Sequence, residues 1–192
     1  MRISSFRKLV IVMPFAFLAY LLQVCVMGYF PVASVTGNLL FAYIAVIIVS
    51  CGKKSAFCAS AVIGILMESM LSSVSALYII CYPAITMLWA QLFCDMSDRQ
   101  RERKAMLHPN RSHDDKPPLL RVLMCAATMQ LTLEGIMLVY VFLTVGYLDA
   151  GHFFRTLVTV LYTEAIALIL YYPIRLALGM YKNRFRTRVT GG

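Results

Sequence analysis

The chain has 192 residues, 60% of them hydrophobic and only 14% charged, with a mean hydropathy of +0.75. That balance excludes an ordinary soluble domain, which cannot bury so much apolar surface and needs more charge to stay dispersed. The formal charge of +9 does not imply nucleic-acid binding, because the cations lie in short patches between apolar stretches, as they do beside membrane helices.

A bilayer core of roughly 30 Å needs about 20 apolar residues in a helix. The first such run covers residues 9–30 behind Arg2, Arg7 and Lys8. It is too long for the apolar part of a signal peptide and lacks a small-x-small cleavage site, so it reads as a retained first helix. A second run starts at residue 32 or 37 and ends at 51. After Lys53 and Lys54 a third covers 56–71. The serines 72, 73 and 75 separate it from a fourth at 76–94, as two spans or as a re-entrant hairpin, and the charge pattern favours two spans.

From 95 to 118 the composition turns polar, with Arg99, Arg101, Glu102, Arg103, Lys104, His108, His113 and Pro117-Pro118, and reads as an aqueous loop. Residues 119–148 form a fifth span and 153–180 a sixth, joined by a short turn from Asp149 to His152. A basic tail, 181–192, closes the chain. The expected fold is all-α, a single polytopic domain over 1–192 with six transmembrane helices.

Lys and Arg number three at the N-terminus, two in the second connection, seven in the long loop counting Arg121, and five at the C-terminus counting Arg175. The alternate connections hold none, and only Arg155 lies near the opposite face. By the positive-inside rule both termini are cytoplasmic.

Three acids lie within spans: Glu68, Glu134 and Glu164. A charge at the bilayer centre costs roughly 2.5–3.5 kcal/mol on insertion scales, so such residues face protein or water. Helical rise puts Glu68 about 18 Å from the inner end of its helix, Glu134 roughly 22 Å from Leu119, and Glu164 about 16 Å from the outer start of the last helix. The three could therefore meet in a polar cavity, or each could fix packing as a neutral group. Ala56, Ser60 and Gly64 form a small-residue ridge leading to Glu68, which permits close helix approach. Gln130 lies one turn before Glu134, and Thr156, Thr159 and Thr163 share a face near Glu164. Pro83 falls in mid-span, and Trp89 and the run Tyr171-Tyr172-Pro173 with Arg175 read as interfacial anchors.

The six cysteines, Cys25, Cys51, Cys58, Cys81, Cys94 and Cys125, sit in or beside apolar segments without Cys-x-x-Cys spacing. They read as packing residues, and no metal site or cofactor is expected. No paired nucleophile and base occurs at membrane depth, so no catalytic residue is assigned and an enzyme is not expected.

The stretch Gly64-Ile65-Leu66-Met67-Glu68-Ser69-Met70-Leu71, followed by Ser75-Ala76-Leu77-Tyr78, resembles the rod shape-determining protein MreD family. There, a glycine and apolar residues precede an acid on the third helix, and a small-residue turn leads to an apolar fourth. Size, six spans, a charged loop after the fourth and a Tyr-Pro with a basic tail are also similar. The family usually has Asp in place of Glu68 and glycine in the turn where this chain has serines. The resemblance implies a non-enzymatic subunit of the bacterial elongation machinery in the plasma membrane. Its partner would be MreC, a bitopic protein, and through it MreB filaments and peptidoglycan synthases. The family's fold resembles the substrate-binding subunits of energy-coupling factor vitamin transporters, which supplies the alternative function. Against that alternative, Ala16 and Ala19 are three apart rather than in an Ala-x-x-x-Ala pattern, and the outer connections are short.

Overall fold

The computed structural model describes residues 5–32, 35–70, 77–94, 118–147 and 149–177. The expected loop at 95–118 (apart from Pro118, which opens a helix), the serine break at 72–75 and the basic tail at 181–192 lie outside the described residues. Among those described, every regular element is helical: α1 (Ser5–Cys25), a 3-10 turn (Met27–Tyr29), α2 (Leu39–Cys51), α3 (Lys53–Met70), α4 (Leu77–Phe93), α5 (Pro118–Val145) and α6 (Ala150–Ala177). Prolines 14, 83 and 173 lie inside α1, α4 and α6, and each helix runs through its proline.

Three of these helical stretches are long and apolar enough to cross a membrane: Val10–Tyr29, Leu119–Val145 and Ala150–Ala177. This is a membrane protein. The others depart from the expected spans for two reasons. Helices α2 and α4 are apolar but have only 13 and 17 residues. Helix α3 has 18 residues but includes Lys53, Lys54 and Glu68. The large apolar side chains on the outer faces fit a lipid solvent: Leu143 is 77% exposed, and Leu92, Ile169 and Leu176 are nearly as open.

Helix α2 is the axis of the bundle. Ten consecutive residues, Leu39 to Ile48, are buried, which requires neighbours on every side, and α1, α3, α4, α5 and α6 all pack against it. The surrounding helices bury only stripes, such as Val12, Ala16, Ala19 and Tyr20 on α1, at helical spacing.

Thirteen residues rise only about 20 Å, less than the roughly 30 Å hydrocarbon thickness. The N-terminus of α2 meets α6 at Thr163, about 20 Å along that helix from Ala150, and so lies beside the middle of a helix long enough to cross a membrane. Gly52, at φ +91°, turns the chain into α3, and its N–H donates to Ile47 O at 3.2 Å. Only glycine enters that left-handed region without strain.

The first turn of any helix leaves N–H groups without partners, and in a membrane interior water cannot supply them. Asn38 caps α2, its Oδ1 accepting from Leu40 N and Phe41 N, both at 3.2 Å. Gln23 of α1 accepts from Leu39 N at 2.7 Å and donates to Gly37 O at 3.2 Å. Asn38 N donates to Thr163 Oγ1 of α6 at 3.0 Å, and Asn38 Nδ2 to Tyr82 Oη of α4 at 3.3 Å. The Tyr82 ring stacks on Phe41 at 4.6 Å between centroids. Asn38 is thus the joint through which α2, α4 and α6 are tied together.

Replacing Asn38 by Ala removes the cap and one partner each of Leu40, Phe41 and Tyr82. The expected loss is about 1–2 kcal/mol or more, with Asn38→Asp retaining most of the cap. Denaturant-driven unfolding of the detergent-solubilised chain measures both, and equal stability of wild type and Asn38→Ala contradicts the assignment.

Candidate functional site

Two polar places stand out, both at the end of the bundle away from Lys53 and Lys54. The first is the joint between α3 and α4, which pack along each other. Ala56, Ser60 and Gly64 are buried on α3, as their spacing of four requires if one face meets a neighbour. A Cβ on Gly64 would lie 2.9 Å from Tyr78 O and 3.3 Å from Ile79 Cα, so the α4 backbone occupies that space. One turn later, Glu68 Oε2 accepts a hydrogen bond from Tyr78 N at 3.1 Å. Tyr78 is the second residue of α4, so the carboxyl of one helix serves an open donor at the N-terminus of the next. An anionic or strongly polar acceptor is favoured there by the helix dipole.

The second place is an open cleft of about 360 Å³ between α5, α6 and the non-helical chain before α2. Its walls are Glu134, Met137, Leu138 and Val141 on α5, His152, Arg155, Thr156 and Thr159 on α6, and Val35 and Thr36. On each helix these positions recur at three or four residues, which marks one face. Irregular backbone at membrane depth is tolerated where it lines a cavity or is buried in protein, and Val35–Thr36 does the former. Glu134 Oε1 accepts from Gln130 Nε2 at 2.9 Å. Gln130 is 2% exposed, and its own Oε1 is buried without a partner. Arg155 is close enough to Glu134 for Coulombic attraction.

The three acids take separate partners. Glu68 serves α4, Glu134 lines the cleft with Gln130 beneath it, and Glu164 lies by the Ala127 backbone with its Oε1 buried and unpartnered. Thr156 and Thr159 line the cleft with Glu134, whereas Thr163 holds Asn38. Glu164 follows Thr163 by one residue, a rotation of about 100° around the helix, so it faces another way.

Trp89, expected as an interfacial anchor, is half-buried, and its Nε1 donates to Thr132 Oγ1 of α5 at 2.9 Å. Tyr171 is buried, its hydroxyl accepting from Arg175 and its ring 5.1 Å from that guanidinium, while Tyr172 is exposed. His152 belongs to the first turn of α6 rather than to a loop, with Nδ1 accepting from Asp149 N at 3.3 Å. Sequence reasoning passed over Asn38 and Gln23. The available signal was Gly37-Asn38 before an unbroken apolar run, a capping pattern.

Compared with protein-family models, curated proteins and solved structures, the chain matches none.

The cap on Tyr78 separates charge from hydrogen bonding. Glu68→Gln keeps an acceptor at the same reach, so bundle stability should stay within about 1 kcal/mol of wild type; Glu68→Leu leaves a partly buried N–H open and should lose about 1–3 kcal/mol. Gly64→Leu should be more damaging still, because its Cβ already meets backbone. Thermal unfolding in detergent ranks the three variants, and a Glu68→Leu protein as stable as wild type rules out the capping role.

Proposed function

We propose that the chain is a non-enzymatic scaffold subunit of the bacterial cell-elongation machinery, akin to the MreD family, that binds an MreC-like bitopic protein through its membrane helices. The observation that carries this reading is the joint between α3 and α4. The residues on which the resemblance rests, Gly64, Glu68 and Tyr78, act together there: the glycine lets the helices touch, and the acid caps the second from the first. A motif that fixes a helix hairpin suits a protein whose task is to present a shaped membrane surface. MreB filaments and peptidoglycan synthases would be reached indirectly, through the bitopic partner.

In this reading all six helices cross the plasma membrane, α2 to α4 as the shorter spans, with both termini in the cytoplasm. The alternation of Lys and Arg between connections supports that orientation. The six-helix arrangement also keeps the likeness to energy-coupling factor substrate-binding subunits in play. The cleft is the observation that favours a vitamin-capturing role. Against it, 360 Å³ is near the lower end of ligand pockets, which run roughly 300–1,000 Å³. In addition, Ala16 and Ala19 are buried in this chain's own core, where no transporter partner can use them.

Single cysteines introduced beside Arg101, in a background without the native cysteines, should react with a membrane-impermeant reagent only after the membrane is opened. Reaction in intact cells reverses the orientation. Purification from the native membrane in mild detergent should recover a bitopic membrane protein in near-equal amount. Recovery with a pair of transporter ATPases, or tight retention of a vitamin by the isolated chain, selects the transporter reading instead.

A further inference from the structure

The seam between α5 and α6 holds two buried acceptors that the helices themselves leave unserved. Gln130 is 2% exposed, and its Nε2 donates to Glu134 Oε1 at 2.9 Å. That bond fixes the amide, so its Oε1 turns away from Glu134 and is buried without a donor. Glu164 of α6 lies by the Ala127 backbone, one turn of α5 from Gln130, and its Oε1 is likewise buried and unpartnered. Two such oxygens at neighbouring turns are unfavourable as packing alone.

Both acceptors are served by hydrogen. A water molecule donates one hydrogen to each oxygen. A protonated Glu164 has one O–H, for which Gln130 Oε1 is an acceptor one turn away. The seam therefore suits either form of the acid. Access lies on the side of the cleft, because Glu134, held by Gln130, lines that open space of about 360 Å³. From Glu134 to Ala127 is about 10 Å along α5, with Gln130 between them. The other titratable groups around Glu164 are engaged elsewhere or distant. Cys125 of α5 lies within range of its charge, and Arg155 attracts Glu134. On α2, Tyr43 donates to Val12 O and Cys51 lies at the far end. On α6 itself, Tyr162 donates to Phe30 O and Tyr171 accepts from Arg175.

We propose that Glu164 is a reversible proton-binding site within the bundle, filled and emptied from the cleft by way of Glu134 and Gln130. Hydronium in the cleft passes a proton along water to the Glu164 carboxylate, and hydroxide removes it again as water. Gln130 is a positioning residue. Its Nε2 holds Glu134 at the cleft, and its Oε1 receives the hydrogen of whichever species, water or acid, stands at Glu164. Intramembrane acids reached through a polar cavity are the usual elements of proton-linked membrane proteins. The inference holds whichever assembly the chain serves.

The test uses the purified full chain in nanodiscs, followed by infrared spectroscopy of the carboxylic C=O stretch. Subtracting the Glu164→Gln spectrum from that of wild type isolates the Glu164 band. It should grow as pH falls and vanish as pH rises, reversibly, and transfer to heavy water should shift it. Gln130→Leu, of similar volume, keeps the acid and breaks the route, so the heavy-water shift should slow roughly tenfold. Leu138→Trp fills the cleft about 12 Å along α5 from Gln130. It should also slow the shift, at unchanged melting temperature, and it carries the test if Gln130→Leu fails to assemble. A Glu164 band that is present at every pH, or at none, overturns the proposal, since the acid is then permanently neutral or permanently ionised. Exchange at the wild-type rate in either folded variant overturns it as well.

Discussion

Everything in this bundle is arranged around the first-turn amides of α2, which have no acceptor within their own helix. A helix that begins within an apolar layer presents several N–H groups to a medium that cannot hydrogen-bond them, and each open group there is worth several kcal/mol. The chain meets this constraint with side chains drawn from far apart in sequence. Asn38 caps its own helix, Gln23 reaches across from α1, and Thr163 arrives from 125 residues away. These bonds fix how α1, α4 and α6 stand around α2. Ten buried residues then fill the axis, and the one side-chain polar group among them, the Tyr43 hydroxyl, donates to Val12 O of α1 at 2.6 Å.

The opening lies beside that terminus. Val35 and Thr36, which precede α2 and are not helical, line the cleft together with α5 and α6. The gap is polar for a local reason: the inward faces of α5 and α6 bring Glu134, Arg155 and three hydroxyl-bearing or imidazole side chains to it. A short central helix, its capped terminus and a polar cleft thus adjoin one another.

The joint of α3 and α4 solves a smaller version of the same problem. Its first-turn amide at Tyr78 is served by Glu68 from the neighbouring helix, at a distance set by the absent side chain of Gly64. Glycine and acid depend on each other here. Without close approach the carboxyl does not reach, and without the carboxyl the approach buries an open donor. This dependence ties the resemblance motif to a physical task.

Insertion into a membrane, the approximate positions of the helices and the small-residue ridge on α3 were legible in the sequence, because each is a sum over neighbouring residues or a repeat of four. The number of full spans was less so: the stretch before Leu39 mixes Val32, Ala33 and Val35 with Ser34, Thr36 and Asn38, so hydropathy left the start of the second run open between 32 and 37, and the structure begins α2 at Leu39. Only the tertiary structure separated the three acids, sending Glu134 to a cleft, Glu68 to a helix end and Glu164 to the α5 backbone. It alone turned Trp89 inward to Thr132 and brought Gln23, Thr163 and Tyr82 to Asn38. The reason is common to all of them. A membrane helix reveals its length and its small-residue stripes locally, but the partner of a buried polar group is set by how helices rotate and cross. That is decided by packing among segments that the sequence places far apart.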